Sequence, residues 1–185
     1  MRDLAYPETG LRKATGSNVV FKWIGRPAQG LLLRPIDALI VPFSLMWGGF
    51  AFFWEGSVLS IDAPWFFKLW GIPFVLVGAY LIAGRFFVDA YLRSHTTYAL
   101  SDEAAYIVRD GMLPRTITVT AASISPIELR AKSDGSGTIT FGPKPMMPTV
   151  PGWPSWFAAP PTFEAIPDAA EVYELAQALR PRSAA

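Results

Sequence analysis

Residues 38–54 read ALIVPFSLMWGGFAFFW, and no charged side chain interrupts them. With Pro35, Ile36 and Asp37 in front, the run approaches twenty residues. At about 1.5 Å per helical residue, that length covers a hydrocarbon layer of about 30 Å. Working outward, a second apolar run at 69–84, LWGIPFVLVGAYLIAG, lies between Lys68 and Arg85 and extends through Trp65, Phe66 and Phe67 before it and Phe86, Phe87 and Val88 after it. Cations at such ends can snorkel to the interfaces. The rest of the chain is too small to bury both runs as core helices, so the expectation is a transmembrane helical hairpin over 35–92, with spans at about 36–54 and 66–88. No ionisable residue lies mid-span, which leaves a proton relay, ion path or transporter site without a basis.

Ser44, Gly48 and Ala51 on the first span, and Gly71, Gly78 and Ala79 on the second, recur at helical spacing. Small residues let helix backbones approach closely in a membrane. Packing within the hairpin, through Ser44, Gly48, Gly71 and Gly78, is the favoured use; a face for another membrane subunit is the alternative. Pro42 and Pro73 are tolerable inside membrane helices and are expected to kink them.

The connection 55–64, EGSVLSIDAP, has no Lys or Arg, whereas Arg2, Arg12, Lys13, Lys22, Arg26 and Arg34 precede the first span and Arg85 and Arg93 follow the second. The positive-inside rule therefore directs both termini to the cytoplasm, and Trp47, Trp54, Trp65 and Trp70 then lie toward the outer half as an aromatic belt. The N-terminus lacks the apolar core and small-residue site of a cleavable signal, so the first span is expected to act as an uncleaved insertion signal. Residues 1–34 are expected to be a cytoplasmic juxtamembrane segment, with the aromatic and basic stretch 20–33 lying as a strip on the inner, anionic surface.

Composition agrees with a membrane location: of 185 residues, 51% are hydrophobic and 17% charged, against about 25% charged in an ordinary soluble domain. Without cysteine and with a single histidine, the chain offers no disulfide, thiol nucleophile, Cys-ligated metal or ordinary His-based site. His95 stands in RSHTT among polar neighbours and is read as a linker residue rather than a base. No nucleophile elbow, phosphate loop or HExxH occurs, and the adjacent acids Asp102 and Glu103 are read as a solvated turn. No catalytic residue, metal site or cofactor is expected.

After Leu92 the texture changes to short runs rich in Thr, Val, Ile and Tyr. TTYALS, AYIVRD, TITVTAA, ISPIELR and GTITFG are five candidate strands, separated by turn chemistry at Asp110-Gly111 and Ser133–Gly137. The alternation in 116–119 and 138–141 puts one face in a core and one in water. Residues 143–161 carry seven prolines with Trp153, Trp156 and Phe157 between them, a density that forbids helix interiors and central strands. In 168–180, Val172, Leu175, Ala176 and Leu179 fall at helical spacing, with Asp168 placed to cap the start.

TTYALSDEAAYIVRDG, DGSGTITFG and FEAIPDAAEVYELAQAL, together with a preceding two-helix hairpin, resemble the bacterial PH-like (pleckstrin-homology-like) domain family over roughly residues 90–180. The resemblance implies a small, mainly β barrel or sandwich over 93–185, closed by the C-terminal helix, with Phe163, Ile166, Val172, Tyr173 and Leu175 as structural positions. It also implies a binding or scaffold role rather than catalysis. The turn at 101–104 is acidic where phosphoinositide-binding relatives carry cations. Residues 88–185 hold eight Lys or Arg against ten Asp or Glu, 8 − 10 = −2. Specific phosphoinositide binding and nucleic-acid binding are both disfavoured.

The chain thus reads as a multi-pass protein of the bacterial cytoplasmic membrane whose partners are the lipid bilayer and an unidentified protein. Trp153, Trp156, Phe157, Met146 and Met147 are the candidate membrane or partner contacts, since exposed aromatic and Met clusters mark such surfaces. The other reading of that loop is a cover over the open end of the sheet. Two functions stay open: a tethered binding or scaffold module acting through its β domain, and an accessory subunit bound to a larger complex through the hairpin.

Overall fold

The computed structural model describes residues 5–16, 18–143 and 160–179, the side chains of 5–9 apart. They divide into two compact units: residues 31–90, and the described parts of 1–30 and 91–179.

The first unit is a helical pair. Helix α2 (Asp37–Ser60) continues through Pro42, and helix α3 (Trp65–Ala79) continues through Pro73. Both are long and apolar enough to cross a membrane, the second being counted through Ser94. Helix α2 runs further than the sequence suggested, so the turn shrinks from 55–64 to residues 61–64. Nothing in GSVLS breaks a helix strongly enough to stop it earlier. After α3 comes one π-helical turn (Tyr80–Gly84), and helix α4 (Arg85–Ser94) follows.

The second unit is two antiparallel sheets, in the order β1-β2-β3-β4 and β5-β6-β7. The strands are β1 (Phe21–Gly25), β2 (Thr96–Ser101), β3 (Ala104–Arg109), β4 (Arg115–Thr120), β5 (Ile127–Ala131), β6 (Gly137–Phe141) and β7 (Thr162–Ile166). Helix α5 (Ala169–Ala178) closes it. Tyr98, Leu100, Ile107 and Val119 from the first sheet meet Ile139, Phe141, Phe163 and Ile166 from the second, and Val172, Ala176 and Leu179 of α5 complete this core. Tyr173 and Leu175 are partly buried against it. The result is a β-sandwich closed by a C-terminal helix, on the period-2 pattern read from 116–119 and 138–141.

Two strands lie outside those the sequence suggested. Phe21–Gly25, expected as part of a strip on the membrane surface, instead pairs antiparallel with β2. A bulge between Phe21 and Trp23 turns their side chains to opposite faces. Trp23 then stacks on Phe163 at 5.7 Å in the sandwich core, while Phe21 and Ile24 pack on the far face. There helix α1 (Ala5–Thr15) sets Leu11 against Ala99 and Val108. Every residue of β2 is buried for this reason, because its sheet is covered on both sides.

Strand β7 starts at a threonine after two prolines, just before the helix expected from 168. Opposite Thr138, Glu164 and Ala165 form a bulge, with Ala165 at φ 48°. Side chains satisfy its backbone donors: Glu164 N–H donates to Tyr98 Oη at 3.2 Å and Ala165 N–H to Thr138 Oγ1 at 3.3 Å. The Ala165 carbonyl accepts from Ala28 N–H at 2.9 Å. Asp168, read as a side-chain cap, makes no cap hydrogen bond; it adopts φ 50°, and Ala169 N–H is taken by the Gly135 carbonyl at 3.1 Å instead. The expected turns at Gly111 and Gly135 have φ of +92° and +82°, where only glycine sits without strain.

Candidate functional site

Of the residues singled out from the sequence, Met146, Met147, Trp153, Trp156 and Phe157 lie outside the described residues. Ser44, Gly48, Gly71 and Gly78 are all buried in the helical pair. A Cβ on Gly78 would stand 2.9 Å from Gly48 Cα, so the two backbones are in contact there. Gly71 leaves room for the Glu55 carboxylate and the Trp54 ring, which a Cβ would meet. Ala51 joins this buried stripe, but Ala79, read as part of the same face, is exposed. It lies one position past Gly78, about 100° around the helix.

At the other end of the pair Arg34, Asp37, Arg85 and Asp89 form a set of interlocked charges. Asp37 Oδ1 accepts from Arg85 Nη1 at 2.5 Å, and both side chains are almost wholly buried. Asp37 Oδ2 accepts the Arg34 backbone N–H at 2.7 Å, and the Arg34 guanidinium makes a two-point pair with Asp89 at 3.1 Å for each contact. Arg85 and Asp89 are four apart on α4 and share one helical face, whereas Arg34 precedes α2 and reaches Asp37 across the turn that opens the helix. What joins the two pairs is the antiparallel return of the chain. Such a buried set is worth little in net stability over an apolar substitute, but removing one partner strands the other.

In the β unit, the His95 ring packs against Tyr91 at 4.2 Å between centroids, tilted by 34°, with its Nδ1 2.9 Å from the Tyr91 carbonyl and 3.0 Å from Ser94 Oγ. Ser94 and Tyr91 are neighbours in sequence, so these contacts hold the imidazole at the joint between α4 and β2. Asp102 pairs with Lys22 across β1 and β2, while Ser101 Oγ accepts the N–H groups of Glu103 and Ala104 at 3.2 and 3.1 Å. These two acids therefore act in a turn and an edge contact. Among the described residues no group of three or more His, Cys, Asp or Glu is arranged to hold a metal ion.

Arg93 is buried and donates to the carbonyls of Ala28 and Gly30, the latter at 2.5 Å, tying the segment after β1 to the end of α4. Strand β4 is an outer strand, with Thr116, Thr118 and Thr120 exposed along it. Among the described strands it pairs with β3 alone, and its outer edge carries a row of backbone donors and acceptors of the kind that adds an extended peptide. No protein-family model, curated protein or solved structure matches this chain, so its assignment rests on these residues.

Proposed function

We propose that this chain is a non-enzymatic, membrane-tethered binding or scaffold module of the bacterial cytoplasmic membrane, with a PH-like β domain on the cytoplasmic side. The observation that carries the reading is the occurrence, in one chain, of two long apolar helices and a β-sandwich whose strand β4 pairs on one side only among the described strands. The apolar helices hold the protein at the bilayer, and the edge takes a protein segment by strand addition. The acidic turn at 101–104 supports a protein segment over a phosphoinositide as the ligand.

The competing reading, an accessory subunit recognised through the hairpin, draws on small residues as a docking stripe. Burial of Ser44, Gly48, Ala51, Gly71 and Gly78 between α2 and α3 counts against it, since that stripe is already used. Co-purification from mild detergent separates the two. A C-terminally tagged native chain is compared with one whose residues 35–90 are replaced by an unrelated hairpin. A partner retained by both forms supports the module; a partner lost with the native hairpin supports the accessory subunit.

A further inference from the structure

Among the described residues of the β unit, Met112 and Leu113 stand out: they are 80% and 60% exposed at the tip of the β3–β4 hairpin, in the sequence RDGMLPR. A hairpin turn that faces water is ordinarily polar. The strands beneath carry a second anomaly, for Arg109 and Arg115 are directly opposed across β3 and β4. Like charges in that position repel. Arg109 is half-buried with its Nε unpartnered, and no carboxylate among the described residues pairs with either arginine. Burial and then the neighbouring Arg115 hold the Arg109 guanidinium below its ordinary value. The nearest acid in sequence, Asp110, has its carboxylate against Gly10 of α1, where a Cβ would meet Oδ2 at 2.7 Å.

This tip is also held in place. Met112 N–H donates to Tyr91 Oη at 3.3 Å, Asp110 N–H to the His95 carbonyl at 2.9 Å, and the Tyr91 and His95 rings pack against each other at 4.2 Å. Tyr91 follows Val88, the last residue of the second apolar run, by three positions. A tyrosine at that distance belongs to the headgroup level of a bilayer.

We infer that the β3–β4 tip is a second membrane contact, in which Met112 and Leu113 enter the inner leaflet while Arg109 and Arg115 meet the phosphates of anionic lipid. It rests on the membrane-spanning reading of the hairpin and adds a surface that reading did not include. Apolar side chains supply the insertion, and the two cations supply a preference for negative surface, each raising the docked-to-free ratio about fivefold on an anionic leaflet. The chemistry is that of a charged surface rather than of one headgroup. It therefore needs no phosphoinositide selectivity.

The chain has no cysteine, so single labels are clean. The full-length protein carrying Met112→Cys, labelled with an environment-sensitive fluorophore, is reconstituted in phosphatidylcholine vesicles or in an equal mixture with phosphatidylglycerol. Headgroup-level nitroxide lipid serves as quencher. Expected are strong quenching in the mixed vesicles, weaker quenching in the neutral ones, and a fall toward the neutral level with the exposed-site variant Arg115→Gln or at high salt. Equal quenching in both vesicles, or none in either, overturns the inference, as does shielding from aqueous iodide without lipid quenching, which would mean a protein occupant. A Phe50→Cys label read with a deep nitroxide tests the spanning helix separately. If Phe50 is quenched and Met112 is not, only the tip proposal fails; if Phe50 is not quenched, the spanning reading fails and the tip proposal falls with it.

Discussion

Arg85 Nε donates to the Leu81 carbonyl at 3.0 Å. In an uninterrupted α-helix that carbonyl would receive the Arg85 backbone N–H, but the π-helical turn sends this N–H to Tyr80 instead. The side chain thus replaces a bond that its own backbone gave up. The same guanidinium reaches Asp37 on the other helix. One residue therefore both satisfies the local irregularity and joins the two helices, which ties the π turn to the ion pair rather than leaving it as an isolated defect.

Removing one member of the pair should expose that dependence. Arg85→Ala or Asp37→Ala is expected to destabilise the hairpin by about 3–5 kcal/mol, the range for stranding a buried charge. Replacing both residues with apolar ones of similar volume should cost far less than the sum. Thermal unfolding in micelles, read by circular dichroism across the cycle of single and double variants, gives the comparison.

The glycine contact makes a paired prediction. Gly78→Ala brings a methyl group to 2.9 Å from Gly48 Cα and should separate the helices, at about 1–3 kcal/mol. Gly49→Ala meets nothing within 4 Å and should be neutral or stabilising by up to about 1 kcal/mol through helix propensity. Spin-label distances between α2 and α3 should lengthen in the first variant alone.

Trp23 tests whether the N-terminal segment belongs to the sandwich. Its ring stacks on Phe163 in the core, so Trp23→Ala should cost about 3 kcal/mol, the lower end of the range for a fully buried tryptophan. Near-UV circular dichroism of the full chain should lose aromatic signal and the melting temperature should drop. A strip lying on the bilayer would leave both unchanged.

Tyr98 predicts an alkaline limit. Burial pushes its phenol up to about 12, from 10 in the unfolded chain. The folded state therefore holds the proton more tightly. Its contribution is fully present below pH 10 and is lost as pH rises from 10 through about 12, a swing of about 2–3 kcal/mol. Spectrophotometric titration should show one tyrosine ionising late, and denaturant midpoints should fall across that window. Tyr98→Phe should abolish the late titration. It should also cost about 1–3 kcal/mol by leaving Glu164 N–H without its acceptor.

The residues legible in advance were those whose partners are near in sequence. Thr116–Val119 and Thr138–Phe141 alternate because a strand alternates, and Gly111 and Gly135 take the positive φ of their turns. The helix positions Val172 and Ala176 are buried as their spacing requires. Phe21–Gly25 was misread because FKWIG is basic and aromatic, a composition that a membrane strip and an edge strand share; the bulge that turns Trp23 inward breaks the alternation that would have distinguished them. Thr162–Ile166 carries no strand signal for a similar reason, since its bulge at Glu164–Ala165 interrupts the period.

By itself the amino-acid sequence determined two apolar runs long enough for a membrane, a run of alternating strands and a closing helix, because each depends on a periodicity carried within about ten residues. Only the tertiary structure decided that Asp37 meets Arg85 and that Tyr98 serves Glu164, contacts spanning 48 and 66 residues. It also brought the N-terminal helix and strand onto a sheet whose other members begin at Thr96. Such pairings are set by the return path of the chain and by the cost of leaving buried donors and charges without partners. No local pattern encodes which distant residue will meet that need.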